Sequence, residues 1–386
     1  MAFAALRERF AAYFPKGRIA RRIITLASGT ALAQIITICA MPIVTRLYTP
    51  AQVGVLSLFL SFFNFWVASL SLRYEYALLI AKSDAESHVV KRLALIVVVV
   101  MSVLGAPVLW VLNHTHVLGF GLLPAWVPLV AVPTLLGYGF FMVYRSWALR
   151  AGLIKSITTA TMARSGANSG LQVIFGVFVL GVPGLFAAQV MGSWAAILKL
   201  FKNVQKHYFP GRPAHVTRSD VYAAARTFWK FAIFETPSTW VDQLALTLPV
   251  PLIAALHGST AAGWFGLARM MVAVPNSQIG NAVGDVFQME LANAVITGDS
   301  ARVHNLFYKL LRKSALFGLL PFGAVAVLGP LLVPLIFGVE WREAGIAAAS
   351  VSKANWPNMR CRDQHERLPW HSAVGTRCAS TVGDNE

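Results

Sequence analysis

Few residues in this 386-residue chain combine types and spacing that could do chemistry. Glu235, Ser238, Thr239 and Asp242 fall at i, i+3, i+4 and i+7, which on a helix gathers them into one polar stripe holding two carboxylates. Such a stripe can take up a cation or a proton, which makes Asp242 and Glu235 the candidate ion-coupling residues. The plainer reading is a helix contact satisfied by hydroxyls and by Gln34 or Asn64. Pro237 lies inside the stripe and is expected to kink its helix, because it offers no N–H and its ring crowds the preceding turn. Arg269, in GLARMMVAVP, carries a planar guanidinium suited to bidentate hydrogen bonds with an anion; the plainer reading is a snorkelling or Asp-paired arginine. Arg46, Arg145 and Lys230, with Gln34 and Gln243, complete the candidate ligands for a polar cargo. Arg46, Arg145 and Lys230, like Arg73 and Arg150, also sit where topology determinants belong, at the ends of apolar runs.

The remaining signals are negative. His114 and His116 form an HxH without further ligands nearby, so a metal site is not expected. Cys39 lies in an apolar run, and Cys361 and Cys378 lie near the end of the chain, so no disulfide follows. No Gly-rich loop with a phosphate-binding Lys occurs, so no nucleotide cofactor is expected.

The elements that must position these residues are membrane spans. Hydrophobic residues make up 56% of the chain, charged residues only 13%, and the mean hydropathy is +0.61, more apolar surface than a water-soluble fold could bury. Apolar runs fit for a bilayer core of about 30 Å occur near 23–45, 52–72, 93–113, 122–143, 158–180, 183–201, 231–256, 262–288 and 314–338. The expected class is therefore an all-α polytopic membrane protein with about nine transmembrane helices. The net charge of +17 is distributed in alternate connections. Arg7, Arg9, Lys16, Arg18, Arg21 and Arg22 lead the chain; Arg73, Lys82, Lys91 and Arg92, then Arg145, Arg150, Lys155 and Arg164, then the run from Lys199 to Lys230, then Arg302 to Lys313 follow. HTHVLGFG, GVPG and HGSTAAG carry no Lys or Arg. This positive-inside pattern puts the N-terminus in the cytoplasm and argues against nucleic acid as a partner.

Thr30 to Leu58 is matched by Thr239 to Leu267, 209 positions on, with identities at Thr30/Thr239, Gln34/Gln243, Pro42/Pro251, Leu47/Leu256, Gly54/Gly263 and Leu58/Leu267. Six spans precede the second copy, so a parallel repeat of two lobes is expected. The expected organisation is an amphipathic cytoplasmic lead over 1–22, a six-helix lobe over 23–201, a cytoplasmic linker over 202–230, a partial second lobe over 231–350 and a hydrophilic tail over 351–386. The tail holds no apolar run. It is expected to be foreign to the fold, as a frameshift would leave it, or else to be a true tail outside the membrane.

The blocks ASGTALAQIITICAMPIVTRLYTPAQVGVLSLF, AALHGSTAAGWFGLARMMVAVPNSQIGNAVGDVF, GDSARVHNLFYKLLRK and PLLVPLIFGVEWREAG resemble the oligosaccharide and polysaccharide (O-antigen type) flippases of the multidrug/oligosaccharidyl-lipid/polysaccharide exporter superfamily. The resemblance covers about residues 20–350. It implies a two-lobe transporter fold in which the second lobe here is incomplete, since members have twelve or more spans. It implies a flippase, not an enzyme, moving a lipid-diphosphate-linked oligosaccharide across the bacterial inner membrane by alternating access, for surface polysaccharide such as the O-antigen of lipopolysaccharide. Arg269 would then meet the diphosphate, and the partners would be membrane lipids and the polysaccharide polymerase and chain-length proteins. A drug or cation antiporter of the same superfamily and an inactive truncated member are the alternatives. A membrane glycosyltransferase or polymerase is disfavoured, because the outer connections are short and lack paired carboxylates.

Overall fold

The computed structural model describes residues 18–81, 83–207, 217–272, 323–350 and 352, which contain helices and no strand. In order these are α1 (Arg18–Leu47), α2 (Pro50–Val67), α3 (Tyr74–Ile80), α4 (Asp84–His114), α5 (Val127–Arg150), α6 (Ile154–Val177), α7 (Gly181–His207), α8 (Arg218–Thr227) and α9 (Thr236–Thr247). A 3-10 turn at Val117–Leu122 and a π turn at Phe231–Glu235 interrupt the series. Helical runs at 249–272 (α10), 323–337 (α11) and 342–350 (α12) complete the described residues. The amphipathic lead up to residue 17, residues 208–216 of the linker and nearly all of the tail lie outside them.

The all-α membrane class holds. Among the described residues six helical stretches are long and apolar enough to cross a bilayer: Ser28–Leu47, Pro50–Val67, Asp84–His114, Val127–Arg150, Gly181–Val204 and Phe231–Val272. On α4, Ile96, Val99, Val100, Val103, Leu104, Trp110 and Val111 form an exposed apolar stripe. Water would not tolerate it and lipid would. The count differs from nine for physical reasons. The fifth expected span is α6, whose polar side chains lower its hydropathy although its 24 residues reach about 36 Å. The eighth expected span falls largely in 273–322, outside the described residues, and the ninth only in its first part, the rest being the shorter apolar helix Gly323–Phe337.

Local chemistry sets the helix ends. Thr49 caps α2 by a reciprocal box in which Gln52 N–H donates to Thr49 Oγ1 (3.4 Å) and Thr49 N–H donates to Gln52 Oε1 (3.1 Å), and Pro50 supplies a preset first turn. Thr217 and Asp220 repeat the device on α8, and the Thr217 hydrogen bonds hold the Asp220 carboxyl below the usual carboxylate range. Ser83 caps α4, and Arg150 binds the chain just before it. Arg150 Nη1 donates to Leu78 O (3.3 Å) and Ala81 O (2.8 Å), while Nη2 lies 3.6 Å from Asp84. Arg150 thus acts as a clamp on the C-terminus of α3 and the start of α4.

Compactness divides the chain at Ala262/Gly263. In the first unit α6 packs on α1 and α7, α5 on α4 and α7, and α2 on α7 and α9. The aromatic run of α2 is interior packing: Phe59, Phe62 and Phe63 are buried, with Phe59 against Phe186, Phe62 against Trp66 and Phe63 edge-on to Tyr138. Glycines bring α6 close to its neighbours, because Gly29 on α1 faces Thr158 and Gly192 on α7 faces Asn168 with no room for a Cβ. In the second unit the buried Trp341 ends a turn begun at Gly338 (φ 107°), Trp264 Nε1 donates to Glu340 O (2.9 Å), and α11 and α12 meet at Gly329 and Gly345.

The two copies of the repeat behave alike. Thr49, the cap between α1 and α2, is equivalent to Gly258, whose φ of +82° breaks the run from Phe231 to Val272, too long for one crossing. Gly54 and Gly263 are both buried, as are Leu58 and Leu267, and Gln34 and Gln243 are both half-buried.

Candidate functional site

Tyr138 lies near the middle of α5, and α5 and α6 are joined by residues 151–153 alone. So short a connection keeps residues at similar distances from the turn within reach of one another. Arg164 stands ten residues after Ile154, about 15 Å along α6. Its guanidinium carbon lies 4.4 Å from the centroid of the Tyr138 ring, within cation–π range. This is a half-buried cation deep in a helix of membrane-spanning length, and among the described residues the ring contact is its whole engagement.

Its surroundings are polar. Thr161, Ser165, Asn168 and Gln172 fall at −3, +1, +4 and +8 from Arg164, and Arg164, Thr161 and Asn168 lie within about 60° on the helix. Thr161 satisfies its hydroxyl on Ile157 O (3.0 Å), whereas Asn168 Oδ1 is buried with no partner among the described residues. A guanidinium with donors to spare, one helical turn from an unfilled amide acceptor, can receive a ligand that is anionic and carries hydroxyls.

Sequence reasoning placed Arg145 and Arg164 in the fourth connection, and the structure corrects this. α5 continues to Arg150 and α6 starts at Ile154, so Arg145 is half-buried on α5 and Arg164 is mid-helix. The expected span 158–180 already contains Arg164, whose charge groups it instead with the basic residues of the connection before it. The polar series 161, 164, 165, 168 and 172, spaced as one helix face, was the signal available.

The other candidates are dispersed. Glu235, Ser238 and Asp242 are exposed and Thr239 is half-buried. Glu235 ends the π turn and the other three lie on α9, which follows it directly at Thr236; Pro237 sits in the first turn of α9, where its missing N–H removes the partner of the Ile233 carbonyl. No hydrogen bond joins Gln34 or Asn64 to this stripe among the described residues. Lys230 is exposed just before the π turn, and Arg46 is exposed in the last turn of α1. Arg269 is half-buried on α10, in the second unit.

One polar cluster was missed from sequence. Arg73 Nη2 donates to Thr239 Oγ1 (2.6 Å), Nη1 donates to Tyr76 Oη (3.3 Å), and Nη1 lies 3.6 Å from Glu75 Oε1. Glu75 is 4% exposed and accepts the Ser71 hydroxyl. Arg73 and Thr239 are far apart in sequence, so no spacing could have paired them.

A family model described as "Polysaccharide biosynthesis protein" matches residues 43–345. No curated protein matches the chain. A solved structure described as the inward-facing conformation of a multidrug resistance MATE family transporter of the MOP superfamily is similar with a TM-score of 0.54. It shares 14% identity over 86% of this chain and 84% of its own, a likeness of fold.

Proposed function

Because this chain belongs to the polysaccharide biosynthesis protein family, we propose that it is a flippase carrying a lipid-diphosphate-linked oligosaccharide from the inner to the outer leaflet of the bacterial inner membrane, for surface polysaccharide of the O-antigen type. The observation that carries this reading is Arg164 over Tyr138 with the Asn168 oxygen, unpartnered among the described residues, one helical turn away. A sugar diphosphate cannot enter hydrocarbon unaided, because its phosphates and hydroxyls would lose their water without replacement. A mid-span guanidinium answers the phosphate and a free amide acceptor answers a hydroxyl. The transporter fold provides a route without catalytic carboxylates, and alternating access of that fold would move the headgroup across.

The test is complementation of a bacterium that lacks its own surface-polysaccharide flippase. The chain is expected to restore surface polysaccharide, and Arg164→Gln at equal membrane abundance is expected to cut it at least about tenfold, the value of one charge-assisted hydrogen bond. Full transport by Arg164→Gln would refute the assignment. A second reading, export of a drug or cation, is favoured by the exposed carboxylates Glu235 and Asp242. It requires that Asp242→Asn abolish cation-driven efflux while Arg164→Gln does not.

A further inference from the structure

The Arg73 cluster is not explained by topology alone. Leu72 and Arg73 both adopt left-handed backbone (φ 47° and 63°), which costs a non-glycine residue about 1 kcal/mol or more each. This turn directs the Arg73 side chain inward, where it is only 16% exposed. Its charge is balanced by Glu75, but at 3.6 Å that contact is longer than a hydrogen bond. The Nε–H and Nη2 groups form the edge of a guanidinium that grips a carboxylate or phosphate with two parallel bonds. Here Nη2 holds only the Thr239 hydroxyl, a neutral acceptor, and Nε is buried with no partner among the described residues.

Thr239 is equally provisional. Its hydroxyl also donates to Glu235 O (2.8 Å), so it keeps a partner when Arg73 leaves. It follows the π turn Phe231–Glu235, where the backbone register is already loosened. A two-oxygen anion arriving at Arg73 would replace one neutral hydrogen bond by two charge-assisted ones.

We propose that the Nε/Nη2 edge of Arg73 is a binding site for a phosphate ester, and that its occupation displaces Thr239 and releases the start of the seventh span. The site is distinct from Arg164 and lies at the junction of α2 and α3. Its ligand chemistry rests on the flippase reading only in so far as the cargo is one source of the phosphate; the headgroup of an anionic phospholipid is the other. The Thr239 contact then works as a latch that the anion opens.

The experiment uses the full chain in phosphatidylcholine nanodiscs, with farnesyl diphosphate as soluble probe and a second set of nanodiscs containing phosphatidylglycerol. Binding is read by calorimetry, and release of 231–247 by amide hydrogen exchange. Wild type is expected to bind and to exchange faster over 231–247 when it does. Arg73→Gln is expected to bind at least about tenfold more weakly. Thr239→Val, which removes the competing hydroxyl, is expected to bind about two- to tenfold more tightly and to exchange rapidly without ligand. A merely structural contact predicts no tighter binding, so equal or weaker binding by Thr239→Val overturns the proposal. If Arg73→Gln fails to fold, Arg73→Lys keeps the charge beside Glu75 without the bidentate edge, and undiminished binding by it overturns the proposal too. An Arg73-dependent response to farnesyl diphosphate supports the site with cargo as the source; one confined to phosphatidylglycerol supports it with the bilayer as the source; none to either overturns it. These readouts need no transport, so they stand or fall separately from the Arg164 complementation.

Discussion

A guanidinium held about 15 Å inside a membrane helix is expensive unless something replaces its water. Tyr138 supplies part of that replacement, since a ring beneath a desolvated cation contributes about 0.5–2 kcal/mol. The ring face does this, not the hydroxyl. Tyr138→Phe is therefore expected to leave surface polysaccharide in the complementation assay close to normal, whereas Tyr138→Leu lowers it about two- to thirtyfold; equal behaviour of the two variants would remove the cation–π role. The buried Glu75 makes a second case. Taking it away leaves Arg73 with its charge poorly compensated in a largely buried position. Glu75→Ala is expected to destabilise the protein by about 2–3 kcal/mol, read as a lower melting temperature in detergent, while Glu75→Gln, which can still accept the Ser71 hydroxyl, loses less. Neither residue announced itself in the sequence. Arg164 is grouped by its charge with the basic residues of a connection, and no spacing singles out Glu75.

At the scale of elements, the punctuation was legible and the packing was not. Pro50, Gly258 and Gly338 mark turns because their backbones are restricted or free in ways the sequence states outright. The aligned Thr49 and Gly258 make a paired prediction. Thr49→Ala removes a capping box and Gly258→Ala forces a Cβ into left-handed backbone, so each is expected to cost about 1 kcal/mol in detergent unfolding. No atom lies within 4 Å of a Cβ at Gly258, so a much larger loss there would mean that the turn is packed more tightly than its geometry implies. The cap on α8 adds a pH dependence. Asp220 has a lowered carboxyl pKa through the Thr217 hydrogen bonds, so its contribution is fully present above the unfolded value of about 4 and is lost as pH falls through the lower folded value. Amide exchange over 218–227 should therefore rise only on acidification below about pH 4, and Thr217→Ala should abolish that step. The π turn before α9 was not legible, because Pro237 announces a disruption without saying whether the chain kinks or takes up an extra residue per turn.

For the whole molecule, hydropathy carried the membrane class, because it is a property of the chain itself, and the resemblance of sequence blocks to a known family carried the transporter fold. The sequence carried little of the site, because Arg73–Thr239 and Arg164–Tyr138 are made by tertiary packing. What the charge pattern adds is a direction. Basic residues concentrate in alternate connections, and if those face the cytoplasm an inside-negative potential pulls an anionic headgroup outward by about 2.3 kcal/mol per charge per 100 mV. In proteoliposomes of the expected orientation, imposing 100 mV, inside negative, should speed outward transfer of a singly charged headgroup by up to about fiftyfold over the same vesicles at zero potential. Independence of the potential would mean that the headgroup charge is cancelled during transfer. The exposed Asp242 and Glu235 offer no positive charge to set against a negative headgroup, but either can bring a proton or cation with the cargo. In that case Asp242→Asn or Glu235→Gln should restore the dependence on potential while slowing transfer. If the potential drives transfer in the unmodified chain and both variants leave it unchanged, the stripe is a helix face with no part in coupling, and the arginines alone accompany the charge.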